Sequence, residues 1–327
     1  MKEILMMKGA KIIIDTCTKP RKGEKILIVT DFEKINIANI LVAVLVERGF
    51  KPVVNIMFPN ELDGEEPPYL IAKTMLKADL IIIPVSKSIS HSTAVKNALE
   101  SGARVLSLSA FTEEQMYIGG INADFRKQKV ECDIFANYFN KSDRIKITSP
   151  AGMNFTANIK DRPGNSHSCI VNKAGDYSAV PNIEANISPI EGESDGIIIA
   201  DGSVPNFGIG VVKTPVKFLV KKGVITEITG GREAKFIDKL LRSVNNPSVY
   251  NIAQIAIGLN PECKDFNGIM LNDHGVYGSA HIGIGTSHNL GGGVKAPIHF
   301  DVTIANPTIY FDGKIAIKDG EIIKNFS

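Results

Sequence analysis

Between Lys25 and Leu108 the chain alternates two hydrophobic periods, and this alternation restricts its fold more than any other feature. Lys25–Thr30 (KILIVT), Pro52–Phe58, Leu80–Val85 (LIIIPV) and Arg104–Leu108 are short, nearly continuous apolar runs, the pattern of strands buried on both faces. Helical spacing lies between them. Ile37, Ile40, Leu41, Val44 and Leu45 recur every three to four residues over Ile37–Glu47, and Gly49 supplies a stop. Pro68–Leu76 opens on a Pro-Pro pair, and Gly102 follows Ser92–Glu100. Strand–helix repetition of this kind predicts a parallel sheet covered by helices on both faces. A helical stretch near Ala123–Phe139 completes that domain.

After about Asp143 the texture changes. Arg144–Thr148 and Phe155–Lys160 alternate apolar and polar residues around the turn Pro150–Asn154, the signature of a hairpin. Ile197–Ala200, Val216–Val220 and Val224–Ile228 continue the β pattern, and one clear helix, Arg232–Val244, interrupts it. Ser279–Ile284, Ile298–Ile304, Thr308–Phe311 and Lys314–Ile317 return to β. The expected organisation is therefore an α/β domain over 1–142 and a β-rich α+β domain over 143–327.

Several partners are excluded at this level. With 37 basic and 35 acidic residues the net charge is +2, so no excess of either sign is available to drive binding to nucleic acid or to an anionic membrane. Cys17, Cys132, Cys169 and Cys263 are far apart and form no CxxC pair; this fits a reducing compartment rather than a disulfide framework. The segment MKEILMMKGAKIIID carries Lys8 and Lys11 inside its apolar stretch and reads poorly as a secretory leader. The longest uncharged apolar run, Ile40–Val46, is far shorter than the roughly 20 residues that cross a bilayer. A cytoplasmic protein is expected, acting on a small molecule or short peptide and assembling as a homo-oligomer.

Chemistry concentrates late in the chain. Of six histidines, four (His274, His281, His288 and His299) fall between 274 and 299. Ile298–Val302 reads as a strand, so His299 and Asp301 project from one face about 7 Å apart along the chain. An imidazole and a carboxylate so placed can reach one cation; a plain buried His–carboxylate hydrogen bond carries about equal weight at this point. His281 lies in a second short strand, Ala280–Gly285, and brings the set to two histidines and a carboxylate, the minimum for a catalytic zinc or non-haem iron. No G-x-G-x-x-G follows the first strand, and there is no P-loop or GxSxG elbow. The serines 86, 88, 90 and 92 read as turn and cap residues, with a pocket at the strand ends as the alternative.

With these residues in view, the chain resembles the aminopeptidase T superfamily, both its metallo-aminopeptidases and the related iron-dependent 2,5-dihydroxypyridine 5,6-dioxygenase branch. Four segments carry the likeness: Pro181–Glu184 with Ser188-Pro189; Tyr250–Gln254 with Gly258–Pro261; Ala280–Ile282; and Gly292–Asp301, ending in His299-x-Asp301. The resemblance implies a Rossmann-like first domain and a β-rich second domain holding the metal. It implies Glu184, His281, His299 and Asp301 as metal ligands, with Glu184 also as a catalytic carboxylate. It further places Gln254 where the peptidases carry a second metal-binding glutamate and the dioxygenases an iron-binding histidine, and His288 where the peptidases carry a tyrosine. The expectation is one divalent ion per chain (zinc, cobalt, manganese or iron(II)), with Gln254 donating a hydrogen bond to bound water or substrate and His288 stabilising an oxyanion or adding a ligand. Hydrolysis of an amide-type bond, with Glu184 as general base, ranks first. Ring opening by a mononuclear iron(II) dioxygenase ranks second, and a binding protein without catalysis third.

Overall fold

The computed structural model describes residues 1–90 and 92–323. Its contacts form two compact units, Met1–Lys129 with His167–Ile183 and Val130–Ser166 with Glu184–Ser327.

The first unit opens with α1 (Lys2–Ile12), continued by a wider turn over Ile13–Thr18. The broken apolar stretch at the start of the sequence is therefore a helix. Met6, Ala10, Ile13, Ile14 and Cys17 recur at helical spacing and are buried, while Lys8 and Lys11 sit on other faces. The alternation then follows: β1 (Ile26–Asp31), α2 (Ile35–Glu47), β2 (Val53–Met57), α3 (Tyr69–Met75), β3 (Leu80–Ile83), α4 (Thr93–Glu100) and β4 (Arg104–Ser107). The four strands pair in parallel in the order β2-β1-β3-β4. Leu27, Val29, Ile81, Ile83 and Val105 pack one face against Ile71 and Met75 of α3 and Ala94, Val95 and Ala98 of α4. The side chain of Ser92 caps α4 by accepting from the Val95 amide.

The second unit begins within α5 (Phe125–Lys141) and continues through β5 (Arg144–Thr148), β6 (Asn154–Asn158) and β7 (Asn165–His167). The chain then returns to the first unit, where β8 (Tyr177–Ala179) extends the parallel sheet beside β4, with Val105 opposite Tyr177. The expected boundary at 142/143 thus moves, for two reasons. Texture changes where strands begin, whereas contacts change earlier: Phe139 of α5 meets Phe311 edge-on at 5.1 Å. The excursion of β8 is too short to carry a periodic signal of its own.

The rest of the second unit comprises β9 (Glu184–Ile187), β10 (Ser194–Ala200), the short pair β11 (Ser203–Val204) and β12 (Gly210–Val211), β13 (Val216–Lys221), β14 (Val224–Thr229), α6 (Arg232–Val244), β15 (Ile252–Gly258), α7 (Met270–Asp273), β16 (Ala280–Gly285), β17 (His299–Ile304), β18 (Thr308–Phe311), β19 (Lys314–Lys318) and β20 (Glu321–Ile322). An eight-stranded sheet runs β14-β13-β10-β6-β5-β18-β19-β20, and a five-stranded sheet runs β17-β16-β15-β9-β7. In β5 and β6 exposed and buried residues alternate, as expected of a hairpin with one wet face. In β15, β16 and β9 every residue is buried. Among the described residues no helix is long and apolar enough to cross a membrane.

One ion pair holds the first unit's returning segment in place. Arg104, almost fully buried, donates two hydrogen bonds to Glu24 (2.8 and 2.6 Å) and two more to the carbonyls of Thr18 and Val171. Removing the carboxylate leaves a buried guanidinium without its counter-charge, a loss of about 3–5 kcal/mol. Glu24→Ala is therefore expected to lower unfolding stability by about that amount in urea titration; an unchanged midpoint would show that the pair contributes nothing.

Candidate metal centre

The register of the five-stranded sheet assembles the site. Glu184 of β9 lies opposite Gly258 of β15. Asn186, Ala256, His281 and Thr303 form a row across four strands, and Gln254, Gly283 and Asp301 form the next. Side chains two apart on a strand share a face, so Glu184, Asn186, Gln254, His281, His299 and Asp301 all project from the same side. His299-x-Asp301 contributes two of them, as its spacing predicts.

His274 arrives from outside the sheet. It follows α7, and its ring stacks on His281 at 4.2 Å and 20°. Asp273 fixes that approach: its carboxylate accepts from the amides of Asn267 and Gly268 and from the side chain of Asn272. Gly258 makes the approach possible, since a Cβ there would stand 2.2 Å from the Val276 carbonyl oxygen and 2.7 Å from that of His274. Gly283 plays the same part at the centre of the face, where a Cβ would come within 2.8 Å of both His299 Cε1 and Gln254 Cβ.

The two carboxylates are held differently. Glu184 Oε1 accepts from Asn186 Nδ2 at 2.6 Å and Gln254 Nε2 at 3.2 Å, while Oε2 lies 3.6 Å from His281 Nε2. Asn165 in turn donates to Asn186 Oδ1, which fixes the amide so that its nitrogen faces Glu184. Asp301 stands between two imidazoles, with Oδ1 3.3 Å from His299 Nε2 and Oδ2 3.5 Å from His274 Nε2. Its backbone amide donates to Asn206 Oδ1. His299 Nδ1 lies 2.8 Å from the Thr286 carbonyl oxygen; a carbonyl only accepts, so this nitrogen carries the proton and Nε2 faces Asp301.

Electrostatics follow from this placement. Burial and the neighbouring His274 imidazole push the His281 pKa down to about 4, so His281 is neutral, with a lone pair available, throughout the neutral range. Burial also pulls His299 down, but the Asp301 carboxylate and the Thr286 carbonyl outweigh it and raise its pKa. Burial raises Asp301; the imidazoles of His299, His274 and His281 prevail and hold its pKa well below the usual carboxylate range.

The donor set fits a metal ion. Ligand atoms of Glu184, His274 and His281 lie within 4.8 Å of one another. His274 Nε2, His281 Nδ1 and Asp301 Oδ1 are buried with no hydrogen-bond partner, a cost of about 1–3 kcal/mol for each orphaned group that coordination removes. Two carboxylates and three imidazoles are a donor set that suits one divalent transition ion.

Of the residues expected from sequence, the structure thus brings Glu184, Gln254, His281, His299 and Asp301 together. Gln254 donates one hydrogen bond to Glu184. His288 is not brought in: it is exposed on a short turn, His288–Leu290, and no described hydrogen bond or ion pair ties its ring to the cluster. His274 had been noticed only as one of four clustered histidines, because nothing in Asn272–Gly275 marks a loop that packs on a sheet.

The profile of the NicX family, 2,5-dihydroxypyridine 5,6-dioxygenase, matches residues 52–324. The chain belongs to this family. A family member from Pseudomonas putida KT2440, 2,5-dihydroxypyridine 5,6-dioxygenase, is 25% identical over 256 residues, which cover 75% of this chain and 71% of that protein. Among solved structures, 2,5-dihydroxypyridine dioxygenase from P. putida KT2440 superposes with a TM-score of 0.86 at 18% identity, covering 99% of this chain and 98% of that one. Wild-type AmpT from Thermus thermophilus gives 0.73 at 12% identity, covering 98% and 100%. At these identities the two structures show the shared fold, the one that the resemblance read from the sequence implied; the family match lies with the dioxygenase branch. The ranking of activities changes: the family match and the similar protein carry a dioxygenase name, and support moves from hydrolysis to the second reading.

The geometry separates the candidate ligands by experiment. Asp301→Ala and His281→Ala are expected to lose bound transition metal in elemental analysis, and Gly258→Val to lose it through displacement of His274. His288→Ala should keep full content. Asn186→Ala, which frees Glu184 on one side, should weaken metal affinity about 10–100-fold. Equal metal content in wild type, Asp301→Ala and His281→Ala would refute the site.

Proposed function

We propose that this protein is a mononuclear iron(II)-dependent dioxygenase that opens the ring of a hydroxylated N-heteroaromatic, 2,5-dihydroxypyridine or a close analogue. Family membership over residues 52–324 carries the reading, and the buried donor set supports it. The residues that would hold the ion come from Glu184, His274, His281, His299 and Asp301. Their two carboxylates balance the charge of one dication. A second dication a few ångströms away would need further negative charge, and neutral Gln254 supplies none.

Iron(II), when bound, would supply the redox chemistry by which dioxygen and an electron-rich ring react. The protein's part is positioning. Asn186 and Gln254 fix Glu184 from one side, the Thr286 carbonyl sets the His299 ring, and Asn206 anchors the Asp301 backbone. His299, whose Nδ1 proton is fixed on the Thr286 carbonyl, would present Nε2 to the ion beside Asp301. The bare Gly283 lets His299 and Gln254 close over the centre of the face, where a Cβ would come within 2.8 Å of both.

Amide hydrolysis survives as a second reading on one observation: Glu184 stands 3.6 Å from His281, where a general base beside a metal would be. Dioxygen separates the two. Iron-loaded protein supplied with 2,5-dihydroxypyridine should consume one dioxygen per ring opened and stop under strict anaerobiosis. Turnover of dipeptides or small amides without dioxygen, and none of hydroxypyridines, would establish the hydrolase instead.

A further inference from the structure

Resting on the metal site proposed above, we propose that Arg162 and Glu191 are a positioning pair for His299: from outside the metal-bearing face they hold the glycine-rich loop whose first residue fixes that ring.

The loop joins β16 to β17, the strands that carry His281, His299 and Asp301. His299 Nδ1 meets its acceptor there, the Thr286 carbonyl oxygen at 2.8 Å. A peptide group is planar, so this carbonyl turns together with the Ser287 N–H that belongs to the same peptide. The Ser287 N–H donates to the Val294 carbonyl oxygen at 3.0 Å. The His288 amide at 3.1 Å and the Thr286 hydroxyl at 3.2 Å donate to the same oxygen. Through Val294, then, the far arm of the loop sets the plane of the 286–287 peptide. That plane in turn decides which nitrogen of His299 carries the proton.

The far arm has little order of its own. Gly291-Gly292-Gly293 leads directly into Val294, and glycine loses more conformational freedom on ordering than any other residue. Gly291 sits at a φ of +94°. What holds the run comes from two turns outside the loop. Glu191 Oε1 accepts from the Gly293 amide at 2.6 Å, Arg162 Nη1 donates to the Gly291 carbonyl oxygen at 2.6 Å, and Arg162 Nη2 pairs with Glu191 Oε2. Gly292 is seated between these two contacts, where a Cβ would stand 2.2 Å from Ser287 Oγ and 2.5 Å from Ser188 Oγ.

The turns that carry the pair are themselves fixed. The Ile190 amide donates to the Asn158 carbonyl, the Asn158 amide to the Glu193 carbonyl, and the Arg162 amide to the Ile159 carbonyl. An ion pair at a surface ordinarily contributes little. This one is partly buried, and each partner also directs a charged group at the loop backbone, a contact roughly twice as strong as one between neutral groups.

Glu191→Ala and Arg162→Ala test the pair. Glu193→Ala is the control, because Glu193 shares the turn but its carboxylate is engaged by Asn158 Nδ2. Heteronuclear NMR of the histidine rings, on metal-free protein in alkaline buffer, should place the His299 proton on Nδ1 in wild type and control. Glu191→Ala should show a mixture of both tautomers. In cobalt(II) titrations Glu191→Ala should bind about 10–100-fold more weakly than the control, with an altered visible spectrum. Arg162→Ala keeps the Gly293 contact and should fall between them. Linkage provides a test on wild type that needs no variant to fold: a pair that favours metal binding is itself favoured by the metal. Cobalt should therefore slow hydrogen exchange at the Gly293 amide and leave the Asn158 amide unchanged. None of these measurements involves turnover, so a wild type that consumes no dioxygen would refute the dioxygenase reading while these readouts still decide the role of the pair. An unchanged His299 tautomer in Glu191→Ala, a loss of cobalt affinity that Glu193→Ala shares, or Gly293 exchange indifferent to cobalt would each overturn the proposal.

Discussion

Two buried carboxylates on one face of one sheet govern the arrangement of the second unit. A carboxylate removed from water must find hydrogen bonds or opposite charge, or it destabilises the fold that buries it. Glu184 finds amides, and its Oε1 is enclosed by Asn186 and Gln254. Asp301 finds imidazoles at 3.3 and 3.5 Å, yet its Oδ1 still lacks a hydrogen bond. The surrounding sequence accommodates these demands. Gly283 and Gly258 remove side chains where His299, Gln254 and the 274–276 loop must come close, and the Asp273 carboxylate holds the 267–272 segment that leads into that loop. The protein therefore builds a site that is nearly, but not fully, satisfied by itself, the state expected of a preorganised place for a cation.

Legibility in the sequence followed the range of the interactions. The strands and helices of 25–108 could be read because each is local: a run of apolar residues or a three-to-four spacing needs no distant partner. His299 and Asp301 could be read for the same reason, since their shared face follows from a strand period of two. Glu184 and Gln254 could not be read from their own surroundings. β9 and β15 are buried along their whole length, so they show no alternation, and only the resemblance to a metalloenzyme superfamily singled these residues out. His274 was out of reach of both routes, because its position depends on what Gly258 lacks rather than on what its neighbours contain. His288, singled out by the resemblance as the counterpart of a peptidase tyrosine, is exposed on a short turn, and no local pattern in the sequence tells a solvated histidine from a buried one. The α1 helix was hidden by Lys8 and Lys11, which interrupt the apolar run in sequence but not the buried stripe in space.

The two branches that this fold resembles can be related by the charge at one position. Cross-strand neighbours Gln254, Gly283 and Asp301 lie in one row, so the residue at 254 directly sets how much negative charge the face presents. A glutamate there would add a third carboxylate and lower the cost of holding two dications close together; a histidine would add a neutral ligand and leave the charge suited to one. Glutamine does neither as a ligand. Its amide instead donates to Glu184, converting position 254 from a place that binds metal into one that restrains the carboxylate beside it. A buried imidazole does reach this face from a different segment: His274 stacks on His281 at 4.2 Å, and Gly258 permits that approach, because a Cβ there would stand 2.7 Å from the His274 carbonyl oxygen.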